Sequence, residues 1–205
     1  MHKYSNHNSI LENTSSFVTR LFNDKLPSWA VYHNLTHTIE TVNACLEIGG
    51  GSDLAEDDLE ILSIAAWFHD TGYMFKVEKH EEKSVEVAIK FLKELDYPTA
   101  KINKVISCIM ATKISALPQN LVESVICDSD LVTLGRPDYF EKNDLLKLEI
   151  EMRENKKISE FAWLKRSLHF LISHNYFTEY AKLNFNKQLE NNLQRLHKKI
   201  NEYHE

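Results

Sequence analysis

The chain has 205 residues, enough for one domain with a sizeable core, and its 43% hydrophobic and 26% charged residues are ordinary for a globular protein. A net charge of −6 argues against a general nucleic-acid binder, which needs a basic stripe, and no apolar run reaches membrane-spanning length. Only 5 glycines and 4 prolines disfavour a loop-rich or all-β fold, and the 3 cysteines, Cys45, Cys108 and Cys127, form no CxxC pair, so they read as buried, reduced thiols of a cytoplasmic protein.

The polar opening Met1–Ser9 holds no signal-peptide apolar stretch, and residues 1–8 read as a flexible leader. From about Ser9 the spacing of Ile10, Leu11, Phe17, Val18, Leu21 and Phe22 predicts a helix that Pro27 closes. A second helix is expected from about Asn34 to Ile48, with Asn34 as its cap and Ile39, Val42, Cys45 and Leu46 facing inward. Gly49-Gly50-Gly51 is the clearest breaker, and Ser52 or Asp53 should start the third helix. That helix turns apolar on almost every face before Trp67-Phe68-His69-Asp70, which predicts a central, buried position with Gly72 releasing its C-terminus.

Helices follow through Val85, Ala88, Ile89, Leu92 and Leu95, then from Pro98 through Ile109, then from Pro118 to Asp128-Ser129-Asp130. Gly135-Arg136-Pro137 is a turn, and helices at about 138–154, 159–173 and 177–203 complete the chain, with Ser159 and Thr178 as start signals. The Lys/Glu/Asn mix of the last one reads as a solvated outer face. No repeat, low-complexity block or linker divides the chain, so one all-α domain spanning 1–205, with its core at about 30–190, is expected.

Chemistry concentrates at three places. His69-Asp70 ends an apolar run, where an unpaired imidazole and carboxylate at the mouth of the core are costly and a divalent ion would compensate both. His33 and His37, four apart, share one helix face. Asp128 and Asp130 close another apolar helix, and two carboxylates so near repel unless their roles split, one to a metal and one to a hydrogen bond that orients a histidine. A His, His, Asp, Asp set suits Mn, Fe, Co, Ni or Mg better than structural zinc and leaves open positions for water. Water activated by the ion attacks phosphorus, so a phosphoester is the natural substrate, and His33 is free to protonate the leaving oxygen.

These residues carry a resemblance. The order His…His-Asp…Asp resembles the HD superfamily of metal-dependent phosphohydrolases. Tyr32-His33-Asn34-x-x-His37 is similar to a segment of class I cyclic-nucleotide phosphodiesterases. Phe68-His69-Asp70-x-Gly72-Tyr73, His80-Glu81-x-x-Ser84, Asp128-Ser129-Asp130-Leu131-x-x-Leu134-Gly135-Arg136 and His174-x-Tyr176-Phe177-Thr178 look like small bacterial HD proteins. The chain lacks the His-His-Glu and Gly-Tyr-Pro segments of the cyclic-di-GMP branch. The resemblance implies a helical HD-type bundle. It implies His37, His69, Asp70 and Asp130 as ligands of one divalent ion, with His33 and Asp70 as the catalytic residues. It also puts His80 and Glu81 where some members hold a second metal or contact phosphate. Lys113, Arg136, Asp128 and His174 are candidates for substrate contact. His169 is expected to pack on its helix, and His2, His7, His197 and His204 to be exposed. The implied function is hydrolysis of a phosphomonoester or phosphodiester, of a nucleotide, by a cytoplasmic enzyme. A homodimer, a non-catalytic nucleotide sensor and a di-iron oxygenase of the same fold stay open.

Overall fold

The structure, a computed structural model, describes residues 4–203, with side chains from residue 10 onward. Residues 1–3 of the expected leader and the expected exposure of His2, His7 and His204 lie outside what is described. Among the described residues there are nine α-helices, two short 3₁₀ turns and no strand, as the scarcity of glycine and proline implies. The helices are Tyr4–Lys25 (α1), Leu35–Gly51 (α2), Glu56–Phe68 (α3), His80–Glu94 (α4), Thr99–Ala111 (α5), Leu121–Asp130 (α6), Tyr139–Glu154 (α7), Glu160–Ser173 (α8) and Glu179–Asn201 (α9). The 3₁₀ turns are Thr71–Met74 and Val132–Gly135. No helix among the described residues is long and apolar enough to cross a membrane.

Helix α3 is the axis of the bundle. It packs against α1, α2, α4, α5 and α6. Ile61, Leu62, Ile64 and Phe68 are fully buried, each stabilising the fold by about 1.5–3 kcal/mol relative to exposure. Three glutamate or aspartate residues in its first turn, Glu56, Asp57 and Asp58, complement the helix dipole. Lys101 and Lys104 of α5 bond Asp57 and Asp58 at 3.0 and 2.9 Å. The three cysteines are free and buried.

Several expectations are corrected. α1 starts at Tyr4, so residues 4–8 are helical and not leader. α2 does not break at the glycine triplet but runs to Gly51. No glycine adopts positive φ; a Cβ at Gly49 would crowd Leu59, and one at Gly51 would collide with the Tyr180 ring. The triplet permits close approach of neighbouring chain segments, and α3 begins only after Asp53 takes the left-handed φ of 55°. The inward face of α2 is His37, Thr38, Thr41, Val42, Ala44, Cys45 and Ile48, whereas Ile39 and Leu46 are exposed. Pro118 precedes α6, but Asn120 caps it by accepting from the Glu123 amide. α9 is solvated on one side only: Ala181, Phe185, Leu189 and Leu196 are buried, and buried Asn192 donates to the Leu134 and Arg136 carbonyls.

Gly72 acts by close approach as well, since any Cβ there would strike the carbonyl of His80. Ser84 fastens the same corner, donating to the His69 carbonyl at 2.6 Å and accepting from the Gly72 amide at 2.8 Å. The residues after α3 are thereby locked against the start of α4.

Asp128 is a structural residue. It is fully buried and accepts from the amides of Phe177 and Thr178 and from the Thr178 hydroxyl, each at 2.8 Å. It therefore neither orients a histidine nor meets substrate. It ties the end of α6 to the start of α9, where Thr178 caps the helix through the Ala181 amide. Asp128→Ala strands three donors, two of them buried, and should cost about 3 kcal/mol in urea denaturation. A loss under about 0.5 kcal/mol, the scale of an inert surface change, would contradict this role.

Candidate metal centre

Asn34 accepts from the amides of Thr36 and His37 at 2.8 and 3.2 Å, so His37 sits in the first turn of α2 with its side chain buried. His69 and Asp70 follow the last residue of α3, held by the Ser84 clamp and by Thr71, whose hydroxyl donates to the Phe68 carbonyl at 2.8 Å. Asp130 is the last residue of α6. Three helix ends thus deliver four side chains to one place. His37 Nε2 lies 3.1 Å from Asp130 Oδ1 and 3.5 Å from Asp70 Oδ2, and His69 Nε2 lies 3.3 and 3.2 Å from the same two atoms.

The hydrogen-bonding pattern shows what this cluster needs. His69 Nδ1 faces the Ala66 carbonyl at 2.7 Å, and a carbonyl only accepts, so Nδ1 carries a proton. In the neutral ring, Nε2 then presents a lone pair to the oxygens of Asp70 and Asp130. His69 Nε2 and Asp70 Oδ2 are both buried and neither has a hydrogen-bond partner. Such atoms demand positive charge between them, as a proton or a cation. Burial disfavours the His69 imidazolium, yet Asp70 and Asp130 outweigh it and raise that histidine well above its ordinary value. Burial likewise opposes ionisation of Asp70 and Asp130, yet His69 beside the first and His37 beside the second hold both below the usual carboxylate range. His37, His69 and Asp70 offer atoms close enough to share one divalent cation, Asp130 adds a second carboxylate beside both imidazoles, and a backbone carbonyl fixes the His69 tautomer.

His33 stands beside the cluster and is oriented by Glu149, which is fully buried on α7. Glu149 Oε2 accepts from the amides of Tyr32 and His33 at 2.8 and 2.9 Å, and Oε1 pairs with His33 Nδ1 at 2.5 Å. Burial disfavours the charged ring, but Glu149 more than compensates and raises His33 above 6.5. Tyr73 lies between His33 and His80, with ring centroids 4.3 and 4.0 Å away. Glu149 was not singled out in the sequence. Its signal was a glutamate three residues after Leu146 and next to Ile150, on the stripe that α7 turns inward.

A cavity of about 440 Å³ opens above the cluster, lined at its floor by His33, His37, Asp70, Tyr73 and Asp130. His80 and Glu81 also line it, and His80 Nε2 is 3.5 Å from Asp70 Oδ1. Other candidates lie elsewhere. Arg136 is outside the cavity and pairs with Glu47 at 3.3 Å across the turn. Lys113 and His174 line an adjoining cavity of about 250 Å³ that shares Thr112, Ile114, Asp130, Leu131 and Phe170 with the first. Lys113 is bonded to Glu82 at 2.8 Å, and His174, pushed down to about 4 by burial, has no partner for its Nε2. His169 does not pack on its helix; it is exposed and lines the main cavity. His197 is exposed, as expected.

An all-α bundle that gathers histidines and aspartates from the ends of α2, α3 and α6 on a cavity floor defines a helical domain with a side-chain cluster that could hold a cation. Residues 34–135 match the family model described as HD domain, and the chain belongs to the HD superfamily. No curated protein and no solved structure matches it significantly.

The His33–Glu149 pair carries a pH signature. Because the folded value of His33 is raised, the pair's stabilisation is complete below about 6.5 and fades as pH rises through that raised value. Glu149→Gln should move the His33 titration to lower pH in histidine ring NMR, because the carboxylate that favours the charged ring is gone. An unmoved titration would show that Glu149 does not set the charge of this ring.

Proposed function

We propose that this chain is a metal-dependent phosphohydrolase that cleaves a phosphomonoester or phosphodiester of a small molecule, with a nucleotide as the expected substrate class. The observation that carries this reading is the pair of buried, unpartnered atoms, His69 Nε2 and Asp70 Oδ2, facing His37 and Asp130 on the floor of an open cavity. His37, His69, Asp70 and Asp130 would hold the divalent ion. Such an ion supplies a Lewis acid that makes water nucleophilic at neutral pH and neutralises charge on a phosphoryl oxygen.

The chain's own residues supply the rest. His33 has its Nδ1 proton committed to Glu149, which leaves Nε2 to deliver a proton to the leaving oxygen. Glu149 favours the charged form of that ring and fixes its plane, and Tyr73 packs against its face. A module that only binds nucleotide has no use for a buried carboxylate dedicated to charging one cavity histidine, which favours catalysis over sensing. The three buried thiols suit a reducing, cytoplasmic setting.

A second reading is favoured by one contact. His80 Nε2 faces Asp70 Oδ1, the oxygen opposite the one turned to His69, so His80 and Asp70 are the residues that would hold a second cation. Two irons so held would suit oxygen chemistry. Metal counting with iron spectroscopy on protein purified without added metal separates the readings.

The direct test uses chelator-stripped protein, a panel of divalent ions, and aryl phosphates with nucleotides as substrates. Activity should return only with a divalent ion. His69→Ala and Asp70→Asn should each lower kcat/KM by about a thousandfold or more, equivalent to about 4 kcal/mol of transition-state stabilisation. Wild-type turnover in the stripped protein would refute the proposal.

A further inference from the structure

The cavity is electrically two-ended. Its floor is buried and acidic, with Asp70 and Asp130 among the lining side chains. Its outer wall is built from one face each of α7 and α8. On α7 the lining residues Tyr139, Lys142, Asn143, Leu146, Ile150 and Arg153 follow helical spacing, and on α8 Trp163, Arg166, Ser167 and Phe170 do the same. His169 adds a titratable ring one turn beyond Arg166. Two of the chain's five arginines therefore line this one cavity, in a protein of net charge −6. The concentration is against the overall charge and calls for a local reason.

The cations of this wall are not equally committed. Lys142 is spent on Glu40, at 2.5 and 2.7 Å. Among the described residues the ion pair of Arg153 is with its exposed neighbour Glu154, at 3.2 Å, a contact of little energetic weight. Arg166 makes no ion pair among the described residues, and its guanidinium lies 5.5 Å from the Trp163 ring centre. Trp163 is itself buried, and its indole nitrogen has no hydrogen-bond partner. Ser167 bonds Asn143 at 3.1 Å and so ties the two helices together beneath these cations. A planar, permanently charged group held over a fixed aromatic ring is placed to grip an anion with two parallel hydrogen bonds.

Resting on the phosphohydrolase reading, we propose that the substrate carries a second anionic group, remote from the reacting phosphate, which the Arg166 guanidinium binds at the rim with Arg153 and His169 nearby. The floor takes the reacting phosphate; the rim selects the other end. A cavity of about 440 Å³ is large enough for both. The second anion is a phosphate or a carboxylate, and both match the guanidinium fork.

The test uses phosphonates, whose C–P bond resists hydrolysis, so binding is read whether or not the protein turns substrate over. Benzylphosphonate, 4-carboxybenzylphosphonate and the para-xylylene bisphosphonate are titrated calorimetrically into manganese-loaded protein. At least one doubly anionic ligand should bind about tenfold more tightly than benzylphosphonate, and which one does so identifies the second group. Arg166→Gln lies on an exposed side chain and should leave the melting temperature unchanged while reducing the preference below about threefold. Equal affinities for the three ligands, absent binding, or an Arg166→Gln variant that weakens all three alike would overturn the proposal, the last because it marks general electrostatic steering. Failure of the underlying hydrolase reading looks different: the doubly anionic preference persists, but no phosphate is released from any ester with any divalent ion.

Discussion

Two imidazoles and two carboxylates brought to one buried point without intervening positive charge would repel through their lone pairs. The rest of the molecule is arranged around that constraint. His69 cannot turn away, because its Nδ1 is held by the Ala66 carbonyl and its own carbonyl by Ser84. His37 is set by the Asn34 cap, and Asp130 by the end of α6, which Asp128 fastens to α9. Each side chain is fixed by an element that pays its folding cost elsewhere, so the cluster tolerates an unfavourable electrostatic arrangement until a cation or proton resolves it.

The helices around the cluster divide the work by burial. α3 is apolar on nearly every side and supplies rigidity at the centre, while α2 and α6 pack on it and bring their ends to the same level. α7 and α8 stand off enough to leave a cavity, and they contribute the residues that meet what enters it: Glu149 behind His33, then Arg153, Arg166 and His169 farther out. Carboxylates at depth and arginines at the rim give the two ends of the cavity opposite charge.

The helical class and most helices were legible because apolar spacing and scarce glycine are direct consequences of burying one face of a helix. The cluster of His37, His69, Asp70 and Asp130 was legible because His-Asp at the end of an apolar run is a local signal, and His37 and Asp130 fall at comparable ends. What was hidden depended on contacts distant in sequence. Gly49, Gly51 and Gly72 read as breakers, yet they serve close approach to Leu59, Tyr180 and His80, which no local pattern announces. Asp128 and Asp130 are two residues apart and alike in type; only the position of Thr178, 50 residues on, separates a cap from a cluster member. Glu149 sits 116 residues from His33, so its role could not be seen before the chain was folded. Arg136 read as a phosphate grip, but the turn aims it at Glu47 instead.

The central claim is that His37, His69, Asp70 and Asp130 form one cation site. Anomalous diffraction from crystals soaked in manganese measures this directly. The account predicts a single strong peak within about 2.0–2.3 Å of both histidine Nε2 atoms and of an oxygen from each aspartate. A peak at other residues only, or none, with His69 Nε2 bonded to a carboxylate in its place, would contradict it.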